Sequence, residues 1–263
     1  MKSIIKIITL ALLCQSCEKV IDVKYKDNQA TIIIEGNITN VSGAYFVKVS
    51  KSIPLSTTTS NPPIDNAIVT ISDDAGNNEV LTPQGNGLYK TNVISGIAGR
   101  TYTLTVNAES KIYTARSTMP SKVVFDSIKI EKLTFLGETE YDIIPIYTDP
   151  IFKGNNYRFV MKINNKLINK HFIQTDEIRN GLVNSFRLDY FDENNVLKVN
   201  DTVTISMQCI DKNVTTYYTT LALIADDGPG GGTSPNNPPT NITNGALGIF
   251  SAHTIETKSV IIK

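Results

Sequence analysis

The run Tyr102-Thr103-Leu104-Thr105-Val106 decides the fold class of this chain. Successive side chains of a strand point to opposite faces, so Tyr102, Leu104 and Val106 share one face and the two threonines share the other. One apolar face and one hydroxyl-bearing face are typical of a strand that lies between a core and solvent. The run follows Ala98-Gly99-Arg100, whose glycine indicates a turn. The stretch therefore predicts a sheet with one buried face.

Comparable runs of β-branched and aromatic residues lie on both sides of this strand. They are Thr31 to Glu35, Tyr45 to Ser50, Ala67 to Ser72, Gly87 to Thr91 and Lys111 to Thr118. Their number and spacing predict a β-sandwich of immunoglobulin-like size over residues 30–119. Between two of the runs lies Asp73-Asp74-Ala75-Gly76-Asn77. We interpret it as a hairpin turn rather than a calcium loop, because the distal glutamate of an EF-hand loop is absent.

A second series of strand-like runs follows Pro120 and predicts a second β-rich domain over residues 120–263. The runs are Val124 to Glu131, Tyr141 to Tyr147, Asn156 to Ile163, Leu167 to Ile173, Ser185 to Tyr190, Val203 to Cys209, and two closing strands, Ala246 to Phe250 and Ser259 to Ile262. The predicted fold class is therefore mainly β, with a sandwich followed by a second β domain.

One segment of the second domain has helical rather than strand-like spacing. Its apolar residues recur on one helical face and are Val214, Tyr217, Tyr218, Leu221, Ile224 and Ala225. Asp211 is the predicted N-cap, although the threonines of the segment are poor helix formers. A Gly-, Pro- and Asn-rich loop over residues 226–244 follows, and loops of this length are usually functional or disordered. The second domain is thus expected to contain one short helix.

The N-terminus has the parts of a secretory signal. Two lysines form a basic region, Ile7 to Leu13 form an apolar stretch, and the small residue Ser16 directly precedes Cys17. The apolar stretch is far shorter than the ~20 residues that cross a bilayer. A cysteine at this place resembles a lipobox, which implies that residues 1–16 are removed, that Cys17 carries lipid and that residues 17–29 form a tether. The alternative is a plain secretory signal with a chance cysteine.

Charge and cysteine counts narrow the classes of function. The whole chain has 25 basic and 25 acidic residues, and the signal takes away two lysines and no acid, so the mature net charge is 23 minus 25, or −2. A near-neutral chain without a basic stripe does not predict nucleic-acid binding. With lipid on Cys17, Cys209 has no cysteine left to pair with. Its strand alternation with Val203, Ile205 and Met207 predicts a small buried side chain rather than a nucleophile.

Residues with catalytic or metal-binding chemistry are sparse. His171 and His253 are the only histidines, and because they lack metal-ligand spacing we interpret both as ordinary polar residues. The sequence contains no nucleophile elbow, no zinc-protease motif and no phosphate-binding glycine loop. It therefore predicts neither an enzyme nor a cofactor or metal site.

A set of short motifs recurs in a characteristic order along the chain. They are Cys17-Glu18-Lys19-Val20-Ile21-Asp22, Ile33-Ile34-Glu35-Gly36, Gly87-Leu88-Tyr89, Gly99 to Val106, Tyr113-Thr114-Ala115, Met119-Pro120, Asn241-Ile242 and Gly245 to Phe250. Together they resemble a family of Bacteroidota lipoproteins known only as a domain of unknown function, family forty-two forty-nine. The resemblance implies an outer-membrane lipoprotein, often encoded beside a TonB-dependent receptor, whose first domain is an immunoglobulin- or prealbumin-like sandwich. It implies no reaction and no catalytic residues.

Two further motifs predict sugar attached to the protein itself. Asp126-Ser127-Ile128 and Asp201-Thr202-Val203 match the order Asp, then Ser or Thr, then an apolar residue, which resembles the O-glycosylation pattern of exported Bacteroidota proteins. A modified hydroxyl must lie at the surface, and both motifs stand where a predicted strand begins. Ser127 and Thr202 are therefore candidate glycosylation sites, and the alternative is a pair of ordinary strand starts.

Three functions are compatible with these features. The first is a non-enzymatic lipoprotein, held to the outer membrane by lipid on Cys17, that assists a TonB-dependent receptor in nutrient uptake. The second is a surface receptor that captures a glycan or peptide directly, although the chain lacks tryptophan, the aromatic side chain best suited to stacking. The third, a hydrolase, has no nucleophile and base in its favour. The face of the outer membrane on which the protein lies stays open.

Overall fold

The structure, a computed structural model, describes residues 30–53, 60–135, 138–177, 180–184, 186–190, 196–226 and 237–263. The predicted signal peptide, Cys17 and the tether lie outside these residues, as does most of the loop predicted over residues 226–244. The elements are, in chain order, β1 (Ile32–Thr39), β2 (Phe46–Lys51), β3 (Ile68–Asp73), β4 (Asn78–Val80), β5 (Thr82–Gly85), β6 (Leu88–Lys90), β7 (Thr101–Ala108), β8 (Lys111–Thr118), β9 (Phe125–Phe135), β10 (Glu138–Tyr147), β11 (Asn156–Ile163), β12 (Lys166–Leu167), β13 (Phe172–Thr175), β14 (Thr202–Cys209), α1 (Lys212–Asp226) and β15 (Leu247–Ile261).

The first part of the chain forms the predicted immunoglobulin-like sandwich. One sheet has the strand order β4-β3-β7-β8, and the other side of the core is formed by the neighbouring strands β15, β1, β2, β6 and β5 of a larger sheet. Tyr102, Leu104 and Val106 of β7 are each at most 1% exposed, while the threonines between them are half-buried. The alternation that decided the fold class is thus confirmed. The short strands β4 and β5 were not predicted, because their polar residues carry no strand signal.

The second part of the chain forms another two-layered β structure with its own core. The larger sheet continues as β12-β11-β14-β15, with β13 also paired to β11. The antiparallel ribbon β9–β10 supplies the other side of the core. The largest side chains buried there belong to Phe125, Tyr157 and Phe159. The predicted class is confirmed: the described residues are mainly β and contain one helix.

The strand β15 belongs to both cores. Leu247 to His253 pair in parallel with β1, and Thr254 to Ile261 pair antiparallel with β14. The prediction of two separate closing strands was therefore wrong. The stretch between them, Ser251 to Lys258, is rich in polar residues and therefore resembles a loop in the sequence. Pairing with β1 on one half of β15 and with β14 on the other half keeps it extended. The domain boundary predicted between residues 119 and 120 stays a prediction. Phe250 and Ala252 follow this boundary in the chain but pack in the first core.

Two other predicted strands differ from the structure. Residues 186–190 are not a strand, because their one ladder contact is a single bridge between Leu188 and Ile143; Ser185 lies outside the described residues. The run Leu167 to Ile173 is divided into β12 and β13, which pair with different parts of β11. The chain bends between β12 and β13. This bend leaves no mark in the sequence, where the run Leu167 to Ile173 looks like one strand.

The predicted helix is confirmed, and so is its N-cap. The Oδ1 atom of Asp211 accepts a hydrogen bond from the backbone N–H of Val214 at 3.0 Å, which satisfies one donor of the first turn. The hydroxyls of Thr215, Thr216 and Thr220 donate to carbonyls four residues earlier, at 2.8 to 3.0 Å. These bonds keep the threonines inside the helix. Within the part of the chain that the structure describes, no helix is long and apolar enough to cross a bilayer.

Cys209 lies on the buried face of β14, as its alternation predicted. It is a free cysteine, 5% exposed, and burial raises the pKa of its thiol. We expect Cys209→Ser to lower the free energy of unfolding by about 1–3 kcal/mol, because a more polar hydroxyl replaces the thiol on the buried face. Thiol-reactive reagents should label the wild type only after unfolding, and rapid labelling of the native protein would contradict the assignment of this face.

Candidate functional site

An acidic cleft lies at one end of the second β core, where β10 and β13 end. Its volume is about 240 Å³. The residues that line it come from the ends of these strands, from β11 and from the segment after residue 180; they are Tyr147, Asp149, Tyr157, Gln174, Thr175, Asp176, Leu182, Asn184 and Phe186. Two carboxylates, those of Asp149 and Asp176, lie close together in this small space.

Asp149 is fixed in the cleft through both of its carboxylate oxygens. The buried Tyr157 hydroxyl donates a hydrogen bond to Oδ1, and the backbone N–H of Gly181 donates to Oδ2 at 3.1 Å. Burial, together with this hydrogen bond and the charge of Asp149, raises the pKa of Tyr157, so its hydroxyl keeps its proton and remains a donor. Asp149 is 6% exposed. Its oxygens therefore hold two segments of the cleft wall in place.

Asp176 holds the opposite loop and keeps one oxygen available. Its Oδ2 atom accepts hydrogen bonds from the backbone N–H groups of Gly154 at 2.6 Å and Asn155 at 3.0 Å. Asp176 is 6% exposed. Among the described residues, no group donates a hydrogen bond to its Oδ1 atom. The carboxylate thus orders the loop with one oxygen and offers the other to the cleft.

The hydroxyl of Tyr147 is a second available group in the cleft. Tyr147 is 3% exposed, and its ring packs against Tyr157 and Phe159 with centroid distances of 4.7 and 5.9 Å. Burial and the nearby charge of Asp149 raise the pKa of Tyr147, so the group stays a neutral hydroxyl. Within the described chain it makes no hydrogen bond. The hydroxyl faces the cleft, where water or a ligand can reach it.

An apolar rim, defined as Ile151, Phe152, Leu182 and Val183, adjoins the cleft. These side chains are 73%, 77%, 57% and 56% exposed. The two halves of the rim are close together, because the side chain of Asn180 donates to the carbonyl of Ile151 at 2.7 Å. A cluster of exposed large apolar side chains around a polar recess is typical of an interaction surface.

The candidate sites predicted from the sequence lie elsewhere. Cys17 is outside the described residues. Ser127 is exposed near the start of β9, and Thr202 is half-buried as the first residue of β14. The side chain of Asn164 accepts a hydrogen bond from the Thr202 N–H at 2.9 Å and donates one to Asp201 at 2.7 Å. Neither Ser127 nor Thr202 lines the cleft, and their glycosylation stays a prediction.

We expect the native protein to carry sugar on Ser127, Thr202 or both, because each hydroxyl is at least partly accessible near a strand start. Intact-mass measurement of the native protein and of a Ser127→Ala, Thr202→Ala double variant tests this. The wild type should exceed the double variant by the mass of at least one sugar, beyond the difference that comes from the two substitutions themselves. A difference of only two oxygens would show that both motifs are plain strand starts.

His253 and the Asp73 turn make structural contacts. His253 is 5% exposed, and the Oγ of Ser251 lies 2.9 Å from its Nδ1. The Oδ1 atom of Asp73 accepts the N–H groups of Ala75 and Asn77, so this segment is the predicted turn. Among the described residues, no group of three or more His, Cys, Asp or Glu side chains is arranged to hold a metal ion.

The sequence reasoning missed the cleft, although a weak signal for it exists. Thr148-Asp149 and Thr175-Asp176 each place an acid at the end of an apolar strand. Acids that follow two strands can meet at the same end of a sheet, but only when the pairing of those strands brings the ends together. Here β10 and β13 belong to different sheets, and the packing of these sheets on the second core brings the two strand ends together.

Comparisons with known proteins identify a family and include distant structural likenesses. The family model described as "Domain of unknown function (DUF4249)" matches residues 18–259. Among solved structures, a two-domain fibronectin type-III segment from chicken tenascin is similar at 15% identity, with 68% of this chain and 90% of that chain covered and a TM-score of 0.22. No protein of curated function matches the sequence.

Proposed function

The chain belongs to the DUF4249 family of domains of unknown function, and from this membership and its surface we propose that it is a non-enzymatic binding protein of an outer-membrane uptake system. In this proposal, lipid on Cys17 anchors the protein, and the protein assists a TonB-dependent receptor. The observation that carries the binding role is the acidic cleft with its apolar rim. Rigid sandwiches commonly present binding loops at one end.

The state of the carboxylates favours binding over catalysis. A pair of acids that performs general acid–base chemistry needs groups free to exchange protons with a substrate. Both oxygens of Asp149 instead accept hydrogen bonds from Tyr157 and Gly181. Asp176 has one oxygen engaged by two backbone N–H groups. These contacts position loops, so the cleft is suited to recognition.

The anchor makes a direct prediction. Cys17→Ala should release the protein from membranes, because no other apolar segment of the sequence is long enough to hold it there. Metabolic labelling with a clickable fatty acid should mark the wild type and leave the variant unmarked. Fatty-acid label on the Cys17→Ala protein would contradict the lipoprotein assignment.

The partner is tested by affinity purification from mild detergent. Tagged wild-type protein should recover a TonB-dependent receptor, and Phe152→Asp should reduce that recovery because it places a charge on the apolar rim. Val93→Asp is the matched control, since Val93 is a similarly exposed apolar residue of the first sandwich, at 83%. Isolation of the wild type as a monomer at native abundance would count against the partner.

A second candidate function is direct capture of a glycan or peptide. The available atoms of Tyr147 and Asp176 favour it, because polar atoms in a recess are typical of a ligand site. Growth of a deletion strain on a panel of glycans and peptides separates the two candidates. A capture protein should be needed for one substrate class, whereas loss of a general accessory should not depend on the class supplied.

A further inference from the structure

The polar atoms that converge in the cleft have no partner within the described protein. They are the Tyr147 hydroxyl, the Asp176 Oδ1 atom and the side chains of Gln174 and Thr175. Tyr147 and Asp176 are more than nine-tenths buried. The Tyr147 hydroxyl and the Asp176 Oδ1 atom face the open cleft, where water or a ligand can reach them. Polar atoms that converge in a recess with apolar walls are typical of a ligand site.

The mixture of donors and acceptors selects the chemistry of that ligand. Asp176 only accepts hydrogen bonds, the amide of Gln174 does both, and the hydroxyls of Tyr147 and Thr175 do both. A ligand hydroxyl can donate to one of these groups and accept from another at the same time. An ammonium or guanidinium group only donates, and would leave the donors of the cleft unpaired. The set therefore fits a polyhydroxylated ligand better than a cation.

The apolar side of the cleft fits the same ligand class. Leu182 and Phe186 line the recess, and Phe152 lies in the adjoining rim. Such surfaces can cover the C–H face of a sugar ring while the polar atoms bind its hydroxyls. The volume of about 240 Å³ is below the roughly 300–1,000 Å³ of sites for drug-sized ligands. The space therefore suits one ring at the end of a longer chain.

We propose that the acidic cleft binds a terminal residue of a neutral saccharide, with Tyr147 and Asp176 bound to its hydroxyls. This inference rests on the second candidate function, direct capture, and specifies its ligand class and site. It requires no reaction at the cleft. The receptor surface of the accessory role overlaps this site at Phe152 and Leu182, whereas Tyr147 and Asp176 lie in the recess and outside the rim. Variants of Tyr147 and Asp176 therefore test the saccharide site alone.

The experiment is saturation-transfer NMR on the mature lipoprotein in detergent, followed by calorimetry on each saccharide that gives a signal. The probes are neutral oligosaccharides of glucose, mannose, galactose, xylose and N-acetylglucosamine, and alanine and lysine oligopeptides form the comparison set. We expect signal from at least one saccharide and none from the peptides. Deoxy analogues of the bound sugar should bind more weakly, because they leave the polar atoms of the cleft unpaired.

Single-atom variants connect binding to the cleft. Tyr147→Phe removes the available hydroxyl and keeps the ring, and should weaken saccharide binding about three- to tenfold. Asp176→Asn keeps an acceptor oxygen for the loop, and should weaken binding by about tenfold or more. Tyr141→Phe is the matched control, since Tyr141 is a buried tyrosine of the same core that does not line the cleft. Thermal unfolding checks that each variant is folded, and if Asp176→Asn is not, Tyr147→Phe decides.

Each outcome bears on a different claim. Absence of signal from every saccharide overturns the inference, and signal from the peptides instead would leave direct capture standing. Saccharide binding that Tyr147→Phe does not weaken overturns the assignment to the cleft. Cleavage of a bound saccharide overturns the non-enzymatic proposal. Recovery of a TonB-dependent receptor is measured independently of all of these.

Discussion

Gly248→Ala is expected to lower the free energy of unfolding by about 3–5 kcal/mol, from the combined effects of backbone strain and steric overlap. Gly248 lies on β15 opposite Ile34 of β1 and has a φ of +95°. A Cβ atom there would stand 2.1 Å from the carbonyl oxygen of Ile34. Because that oxygen belongs to a central strand, neither strand can move aside without disturbing the first core.

A matched glycine separates the two effects. Gly76 has a similar φ of +90°, but a Cβ added there has no heavy atom within 4 Å. Gly76→Ala should therefore show only the strain of the left-handed backbone, about 1–3 kcal/mol. Chemical denaturation of both variants and the wild type measures the difference. Equal losses at the two positions would mean that β1 and β15 are not packed as closely as the structure places them.

Acidification from neutral pH to about pH 4 is expected to remove about 3 kcal/mol of stability through His253 alone. Burial, and to a lesser extent the charge of Arg158, lowers the pKa of His253 from 6.5 to about 4. In the unfolded chain the same group takes up a proton near pH 6.5. The unfolded state therefore binds more protons between these values. The contribution is complete above pH 6.5 and is lost as the pH falls to about 4.

The variant His253→Gln isolates this contribution from that of the carboxylates. Its free energy of unfolding should fall less steeply than that of the wild type between pH 6.5 and 4, whatever its value at neutral pH. Urea unfolding at several pH values provides both curves. Parallel curves would show that His253 becomes protonated in the folded protein without penalty, and hence that it is not buried beside Arg158.

Strand alternation predicted one face of each sheet well and the other face poorly. On β14, Val203, Ile205 and Met207 are buried as expected, but Gln208 on the opposite face is also only 7% exposed. The reason is tertiary, because Arg158 donates a hydrogen bond to Gln208 and lies over the ring of Tyr218 of α1. The helix and its N-cap could be predicted from the sequence, but no local pattern shows which face of the sheet the helix covers.

The cleft shows the same limit more strongly. Its atoms come from β10, β11, β13 and the segment after residue 180, and no local motif joins them. Asp149 and Asp176 are ordinary acids after strands in the sequence, and only the packing of the β9–β10 ribbon against the larger sheet brings them together. The predicted N-terminal lipidation motif is contiguous and can be proposed from the sequence alone, whereas a site assembled by the packing of two sheets can be found only after the fold is known.

The placement of β15 has a consequence for how the protein is made. Ile33 pairs with Leu247, a separation of 214 residues (247 minus 33), so the first sandwich has a high contact order although it begins the chain. Synthesis proceeds from the N-terminus. The edge of β1 that pairs with β15 therefore has no partner strand until nearly all of the chain has been made. Such topologies fold slowly and expose strand edges to aggregation. A premature stop before residue 247 would leave two open sheets for chaperones and proteases, rather than one finished sandwich.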